Sequence, residues 1–307
     1  ACDLHPEYLS SGFARSIPSC ARRLYAVQHH HAHLVSCMAE NRLKKGRVIG
    51  VACDGTGMGD DGKLWGFEFF VLNYKGYLRV GHLQYIPLIG GEAAIREPYR
   101  VALACLYSVF GAKFMELKLE LMKEIKKTQW KIFELMINKG INCPLSSSAG
   151  RLFDAVSSLL GLKHRIDFEA EAAIALEDAA SSYSSLVRNS GYRFNVFKKE
   201  NKFVIDSAPM FREIVKDLLG DKPRNLIARK FHFTVARMIL QICRKIEREN
   251  SLRSVVLSGG VFQNRILSKD VVSILKDAGF KVITHKILPP NDSCISLGQA
   301  VVAGMNK

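Results

Sequence analysis

The residue types most able to do chemistry are His29 and His33, four apart in Val27-Gln28-His29-His30-His31-Ala32-His33-Leu34, and Asp54 in Asp54-Gly55-Thr56-Gly57. Four residues is about one helical turn, so on a helix both imidazoles converge on one point. Two neutral imidazoles joined by carboxylates from elsewhere make a mixed nitrogen and oxygen site. Such a site suits Fe(II), Mn(II) or Zn(II) and leaves positions open to a substrate. The candidate carboxylates are Asp54 and Asp292. The spacing alone fits a histidine tract on a wet helix face equally well. The two acid loops, each beside glycine or a helix start, weigh toward a metal.

These groups need a scaffold. Ala32, Leu34, Val35, Cys37, Met38, Ala39 and Glu40 predict a helix from His29 to Arg42. The apolar run Arg47 to Cys53 predicts a strand that ends at Asp54, with glycines beyond it that let backbone N–H groups approach an anion. Leu64 to Leu72 and Tyr77 to Leu83 read as two further strands turning at Lys75-Gly76.

Short elements are expected before the histidines, a helix over Tyr8 to Arg15 and a strand over Leu24 to Val27. Gly90 to Glu97 reads as a surface loop, with Pro98 in the first turn of a helical stretch that runs unbroken from Tyr99 to about Lys139.

Ser146 to Gly150 is a small-residue approach to a helix that ends near Leu160 with Gly161 as its stop, a natural seat for phosphate or ribose. Glu169 to Ser184 is helical, Tyr192 to Phe197 and Lys202 to Ile205 form a hairpin, and Ile227 to Glu249 is a long helix. Val255 to Asn264 reads as strand, Gly259-Gly260 turn and helix, an arrangement in which backbone donors and a helix N-terminus meet a nucleotide. Lys281 to His285 is a strand, and Asn291-Asp292 caps a final helix from Ile295 to Ala303. Strands alternating with helices predict an α/β fold with its cleft between two lobes.

The chain has 307 residues, 48% of them hydrophobic, enough for one two-lobed domain or two small ones. A formal charge of +15 favours an acidic partner, although Lys113 to Lys139 alternates Lys with Glu as a solvated helix face does. Eight cysteines, Cys2, Cys20, Cys37, Cys53, Cys105, Cys143, Cys243 and Cys294, form no CxxC pair. That pattern argues against a zinc ribbon and against a secreted disulfide framework, and for a reducing, cytoplasmic setting. No apolar run is long enough to cross a membrane, and there is no signal peptide. The opening Ala1 reads as a cut from a longer polypeptide.

Taken jointly, several segments carry a specific resemblance: Ala1-Cys2-Asp3-Leu4-His5-Pro6, Val27 to His33, Asp54 to Gly57 with Gly59-Asp60-Asp61-Gly62, Gly90 to Pro98, Ser148 to Asp154, Ser258 to Asn264 and Pro289 to Asp292. The whole chain resembles the carbamoyltransferase domain of HypF-type hydrogenase maturation proteins, which is similar to tRNA threonylcarbamoyl transferases and antibiotic O-carbamoyltransferases. The resemblance implies an actin-like, sugar-kinase-like two-lobed ATPase fold whose first lobe lacks its opening strands. Residues 1–98 would be the first lobe, 99–288 the second, and 289–307 a closing segment returning to the cleft.

It further implies a divalent metal, iron or zinc, on His29, His33, Asp54 and Asp292. It implies the ATP/AMP moiety of carbamoyl-adenylate on Asp154, Ser258, Gly259, Gly260 and Asn264, with Gly55, Gly57 and Glu169 as further contacts. His30 and His31 are candidates for polarising or shuttling protons, His30 first, and a place behind the ligands or in solvent fits them equally. Where the family has Tyr-Glu-Gly this chain has Phe168-Glu169-Ala170, which removes a glycine from the segment.

The implied reaction is carbamoyl transfer to the C-terminal cysteine thiolate of a HypE-type partner, for the cyanide ligands of NiFe hydrogenase, with the adenylate made by an upstream domain of the same longer chain. No nucleophile of this chain is needed, and Cys53 and Cys294 read as packing cysteines. Threonylcarbamoyl transfer to tRNA is the rival within enzymes, but the Asp54 loop and the Glu92 to Pro98 segment follow the HypF pattern, so no nucleic acid is expected as partner. A non-catalytic actin-like nucleotide-binding scaffold is the alternative of another class, and metal content discriminates it.

Overall fold

The computed structural model describes residues 1–17, 24–43, 46–183 and 191–306. Cys20 and Ser184 therefore lie outside the described residues. The chain opens on a short parallel ladder of β1 (Cys2–Asp3) and β2 (Ala26–Val27), with α1 (Leu9–Ser16) between them. Asp3 pairs with Val27 in that ladder, which sets its carboxylate at the foot of α2 (His29–Glu40). Gln28 caps α2 by accepting from the His31 amide at 2.8 Å. Every residue of α2 from His29 to Met38 is buried, so this helix is an interior strut rather than a wet face.

A nine-stranded sheet follows. Its strands are β3 (Val48–Met58), β4 (Leu64–Leu72), β5 (Tyr77–Leu83), β6 (Ile86–Pro87), β7 (Leu145–Ser146), β8 (Asn195–Lys199), β9 (Lys202–Asp206), β10 (Ser254–Ser258) and β11 (Lys281–Ile283). The main path runs β11-β10-β3-β4-β5-β9-β8, with β6 and β7 off it. Central β3 pairs parallel with β10 and antiparallel with β4, so Val48 to Cys53 are buried on both faces. One sheet thus crosses the boundary expected at residues 98 and 99, because β3 and β5 take their outer partners, β10 and β9, from beyond it.

Side chains alternate across β4. Phe67, Phe69 and Val71 join the larger core, which takes in α4 (Pro98–Phe110), α6 (Ala149–Leu159) and α9 (Arg224–Asn250). Phe70 and Leu72 join the smaller core under α2 and α11 (Ile295–Met305). The histidine helix and the C-terminal helix therefore share one face of the sheet. Among the described residues no helix is long and apolar enough to cross a membrane, and seven cysteines are free and buried.

Four expectations need correction. The stretch from Tyr99 to Lys139 is not one helix: α4 stops at Phe110, Gly111 takes a left-handed φ of 59°, and two 3-10 segments (Gly111–Glu116, Glu120–Glu124) precede α5 (Lys127–Lys139). Burial decides this, since the segments turn Phe114 and Leu121 into the core. The hairpin strand starts at Asn195 instead of Tyr192, whose buried hydroxyl donates to Asp217 at 3.0 Å. Helix α7 (Glu171–Ser181) begins after Ala170, which is held left-handed at φ 64°. Finally, α8 (Ala208–Leu219) was not anticipated, although Met210, Phe211, Ile214 and Val215 carry a helical apolar pattern. The remaining helices, α3 (Ala93–Arg96) and α10 (Arg265–Asp277), flank the cleft loops.

A Cβ on Gly298 in α11 would lie 1.9 Å from the Ala32 carbonyl oxygen of α2, so only glycine permits this approach. Gly298→Ala is expected to cost about 2 kcal/mol or more through forced separation of the two helices. Gly304→Ala, in open space on α11, should be neutral or gain up to about 1 kcal/mol. Urea denaturation midpoints of the two variants check this, and equal midpoints would contradict the close packing.

Candidate metal and nucleotide site

The pairing of β3 with β4 slips between Cys53 and Gly57, and this irregularity turns Asp54 and Gly55 out of the ladder toward the cleft. Asp54 Oδ2 lies 3.1 Å from His29 Nε2 and 3.4 Å from His33 Nε2, and its Oδ1 accepts the Gly260 amide at 3.0 Å. Asp292 Oδ1 lies 3.3 Å from His33 Nε2 and 3.7 Å from His29 Nε2. One ligand atom from each of the four residues falls within 4.8 Å of the others. His29, His33 and Asp54 are buried, and only Asp292 is open, with its side chain 69% exposed.

The electrostatics of this cluster are those of a cation site. Burial would raise the Asp54 pKa, but His29 and His33 hold it well below the usual carboxylate range. Burial would lower the His29 pKa, yet hydrogen bonds to Asp3 and Asp54 lift it to about 9. His33 is likewise pushed well above its usual value by Asp292 and Asp54 against the pull of burial. His33 Nε2 is buried with no hydrogen-bond partner. An orphaned ring nitrogen facing two carboxylates is what a divalent cation would satisfy, so the donor set fits one.

Each imidazole is also fixed from behind. His29 Nδ1 lies 2.8 Å from Asp3 Oδ2, and His33 Nδ1 lies 3.4 Å from Cys294 Sγ, so both Nε2 atoms point at the same place. From the sequence Cys294 reads as a packing cysteine and Asp3 has no role beyond its motif, because no spacing signal joins either to the histidines. Behind Cys294, His285 bridges Ser258 Oγ at 2.9 Å and Glu40 Oε2 at 2.8 Å.

Two cavities meet at the cluster. The first, about 470 Å³, is walled by Arg151, Asp154, Glu169, Gly260, Asn264 and others. The second, about 640 Å³, is walled by Tyr8, Thr56, Arg96, Ile166 and Phe168 among others. They share Asp54, Gly55, Arg151, Glu169 and Asp292. Asp154, Gly260, Asn264, Gly55 and Glu169 therefore border the cleft.

Three other expected contacts do not. Ser258 is fully buried, with its hydroxyl on His285. Gly259, at φ 108°, presses its backbone on Cys53, where a Cβ would come within 2.2 Å of the carbonyl oxygen. Gly57 admits the histidine helix: a Cβ there would lie 2.5 Å from His30 Cε1 and 2.7 Å from His29 Cδ2. His30 borders neither cavity. It is fully buried, with its Nδ1 3.1 Å from the Gln28 amide nitrogen and its Nε2 without a hydrogen-bond partner, and burial holds its pKa well below the usual histidine value.

Asn264 caps α10 through the Leu267 amide at 2.8 Å, and its amide donates to His232 Nε2 at 2.9 Å. His232 Nδ1 in turn donates to the Ala228 carbonyl at 2.8 Å, and burial lowers its pKa to about 4.

Comparison with known proteins follows the same outline. Residues 50–299 match the family model described as carbamoyltransferase, Kae1-like domain, second subdomain, and residues 1–40 match the HypF Kae1-like domain. The chain is 36% identical to the carbamoyltransferase HypF of Synechocystis sp., over 97% of this chain but 39% of that protein. It is 34% identical to a carbamoyltransferase HypF homolog of Cupriavidus necator, over 99% of this chain and 77% of that protein. A crystal structure of full-length HypF in its phosphate- and nucleotide-bound form superposes with a TM-score of 0.90 at 37% identity, covering 99% of this chain and 46% of that one. The α/β fold expected from the sequence is thus that of the HypF Kae1-like domain, and the chain spans about two fifths of the length of the Synechocystis relative.

The buried His232 links the Asn264 loop to pH. Its folded pKa of about 4 lies below the unfolded value of 6.5, so the unfolded chain takes up the proton first and stability falls as pH drops between those values. The loss from about pH 7 to about pH 5 should be about 2 kcal/mol, and His232→Gln should remove that part of it. Chemical denaturation of both proteins at the two pH values tests this. An unchanged pH dependence in the variant would refute the assignment.

Proposed function

The chain belongs to the HypF carbamoyltransferase Kae1-like family, and from that premise we propose that its cleft transfers a carbamoyl group from carbamoyl-adenylate to the C-terminal cysteine thiolate of a HypE-type maturation protein, toward the cyanide ligands of NiFe hydrogenase. The observation that carries this reading is the meeting of two cavities at the four-residue cluster. Group transfer needs a donor and an acceptor on opposite sides of one point, and this cleft offers a chamber for each.

The first cavity suits the adenylate. Asp154 is buried on its wall, and neither of its carboxylate oxygens has a hydrogen-bond partner, so ribose hydroxyls would satisfy it. Asn264 and Gly260, each anchored from behind, and Glu169 complete a polar lining. A relative solved with nucleotide and phosphate bound supports that use. The second cavity, with Ile95, Ile166 and the half-exposed Phe168 on its walls, suits the end of a peptide acceptor.

In the proposed reaction the acceptor thiolate attacks the carbamoyl carbon, a C–S bond forms, the C–O bond to the phosphate breaks, and AMP leaves with the electron pair. Bound to His29, His33, Asp54 and Asp292, a divalent iron or zinc ion would supply Lewis-acid polarisation of a carbamoyl or phosphate oxygen. Asp3 and Cys294 hold the imidazoles in register for that role. Among the described residues no cysteine lines either cavity, so no thiol there competes as acceptor. Cys53 and Cys294 are fully buried and border neither cavity. The adenylate would come from an adenylate-forming domain upstream in the same longer chain.

His29→Ala and His33→Ala should each lower bound iron or zinc from stoichiometric to about a tenth, and slow carbamoylation of a cysteine-ended acceptor peptide about 100-fold or more. Elemental analysis of the purified protein and mass spectrometry of the peptide supply the two readings. Retention of both cation and transfer by the double variant would sink the proposal.

A further inference from the structure

Among the described residues, Arg151 is the single basic side chain on the wall of the first cavity, where Asp54, Asp154, Glu169, Glu177 and Asp292 are also found. It is 5% exposed. Its Nε approaches Asp154 Oδ2 to 2.7 Å, but out of hydrogen-bonding alignment, so that Nε and both Asp154 oxygens are left without a hydrogen-bond partner. A buried guanidinium whose Nε donor is unmet is costly unless something else accepts from it. It also borders the second cavity, which places it at the junction beside Asp54 and Asp292.

The backbone holds it there firmly. Ser148 caps α6 by accepting the Arg151 amide at 3.1 Å, while its hydroxyl donates to the Gly55 carbonyl at 2.6 Å, with the Asp54 carbonyl at 3.0 Å. The start of α6 and the acid loop are thereby fixed to one another. The planar fork of arginine matches two phosphate oxygens at once.

We infer that Arg151 is the phosphate-binding residue of this cleft, holding the nucleotide's phosphate at the junction of the two cavities and taking up the charge that grows on it as the carbamoyl C–O bond breaks. The inference rests on the proposed use of the first cavity for an adenylate. When nucleotide enters, Asp154 passes from its misaligned pairing with Arg151 to the ribose hydroxyls, and Arg151 turns its donors to the phosphate. Both orphaned groups are then satisfied by one ligand, and no atom is gained or lost by the protein. As the thiolate forms its bond to carbon, the electron pair of the broken C–O bond stays on the phosphate oxygen facing Arg151.

Calorimetric titration of the protein with AMP and with adenosine tests this. The unaltered protein should bind AMP more tightly than adenosine. Arg151→Ala should weaken AMP about 10- to 100-fold and leave adenosine unchanged. Arg151→Lys, which keeps a buried positive charge, should restore part of the AMP preference, and Asp154→Asn should weaken both ligands together. If Arg151→Ala weakens AMP and adenosine equally, the arginine only supports Asp154 and the inference fails. It fails equally if neither ligand is affected. Absence of AMP binding by the unaltered protein would overturn the adenylate reading as well, and is told apart by that control.

Discussion

A carboxylate at the register slip of the central strand, buried to 6% exposure, cannot stand alone in a low-dielectric interior. Asp54 is that group, and its surroundings are arranged to meet its charge. One oxygen takes the Gly260 amide, which ties it to the loop after β10, and the other faces the two imidazoles of α2. Asp292 then adds a second carboxylate to the same two rings. Two acids against two histidines leave a cluster whose charge is balanced either by protons on the rings or by one divalent cation. The raised histidine pKa values and the depressed one of Asp54 are the proton-balanced form of that constraint.

The same constraint joins distant parts of the chain. Asp3 on the first strand holds His29, and Cys294 at the start of the last helix holds His33. Behind the sulfur, His285 connects Ser258 at the end of β10 to Glu40 at the end of α2, and Glu40 accepts two further backbone amides, from Lys286 and Ile287. A serine, histidine and acid in line invite a nucleophilic reading. Ser258 is fully buried and borders neither cavity, so the row is a strut between loop and helix. It makes the geometry of the two imidazoles depend on the loop after β10, a coupling carried by side chains in contact.

Much of this was legible in residue order. The meander after Asp54, the long helix α9, the capped start of α6 and the convergence of His29 with His33 all follow from period, caps and spacing. Asp292 was a candidate from its place in an acid loop at a helix start, and the family resemblance joined it to the set, since a cap residue 238 positions from Asp54 carries no local signal of a shared point. What was missed depends on tertiary approach. Asp3 and Cys294 are set by which strand and helix lie next to α2. Gly57 and Gly259 were assigned to ligand because glycine after a strand suggests a phosphate loop, yet here the space is taken by imidazole and backbone. Arg151 did have a signal, three positions before Asp154 on one helix and so on the same face.

The chain's charge and the cleft's charge differ in sign, and the difference narrows what the cleft can hold. The formal +15 resides largely on surface lysines and arginines, such as Arg244, Lys245 and Arg248 along α9, far in sequence from the acid loops. The first cavity instead sets one arginine against five acids. A polyanion drawn to the outer surface would meet repulsion on entering, because each further phosphate would lie against carboxylates with no cation to face it. On the proposed reading a single phosphate would face one guanidinium and one divalent ion, and an adenylate ester carries one phosphate.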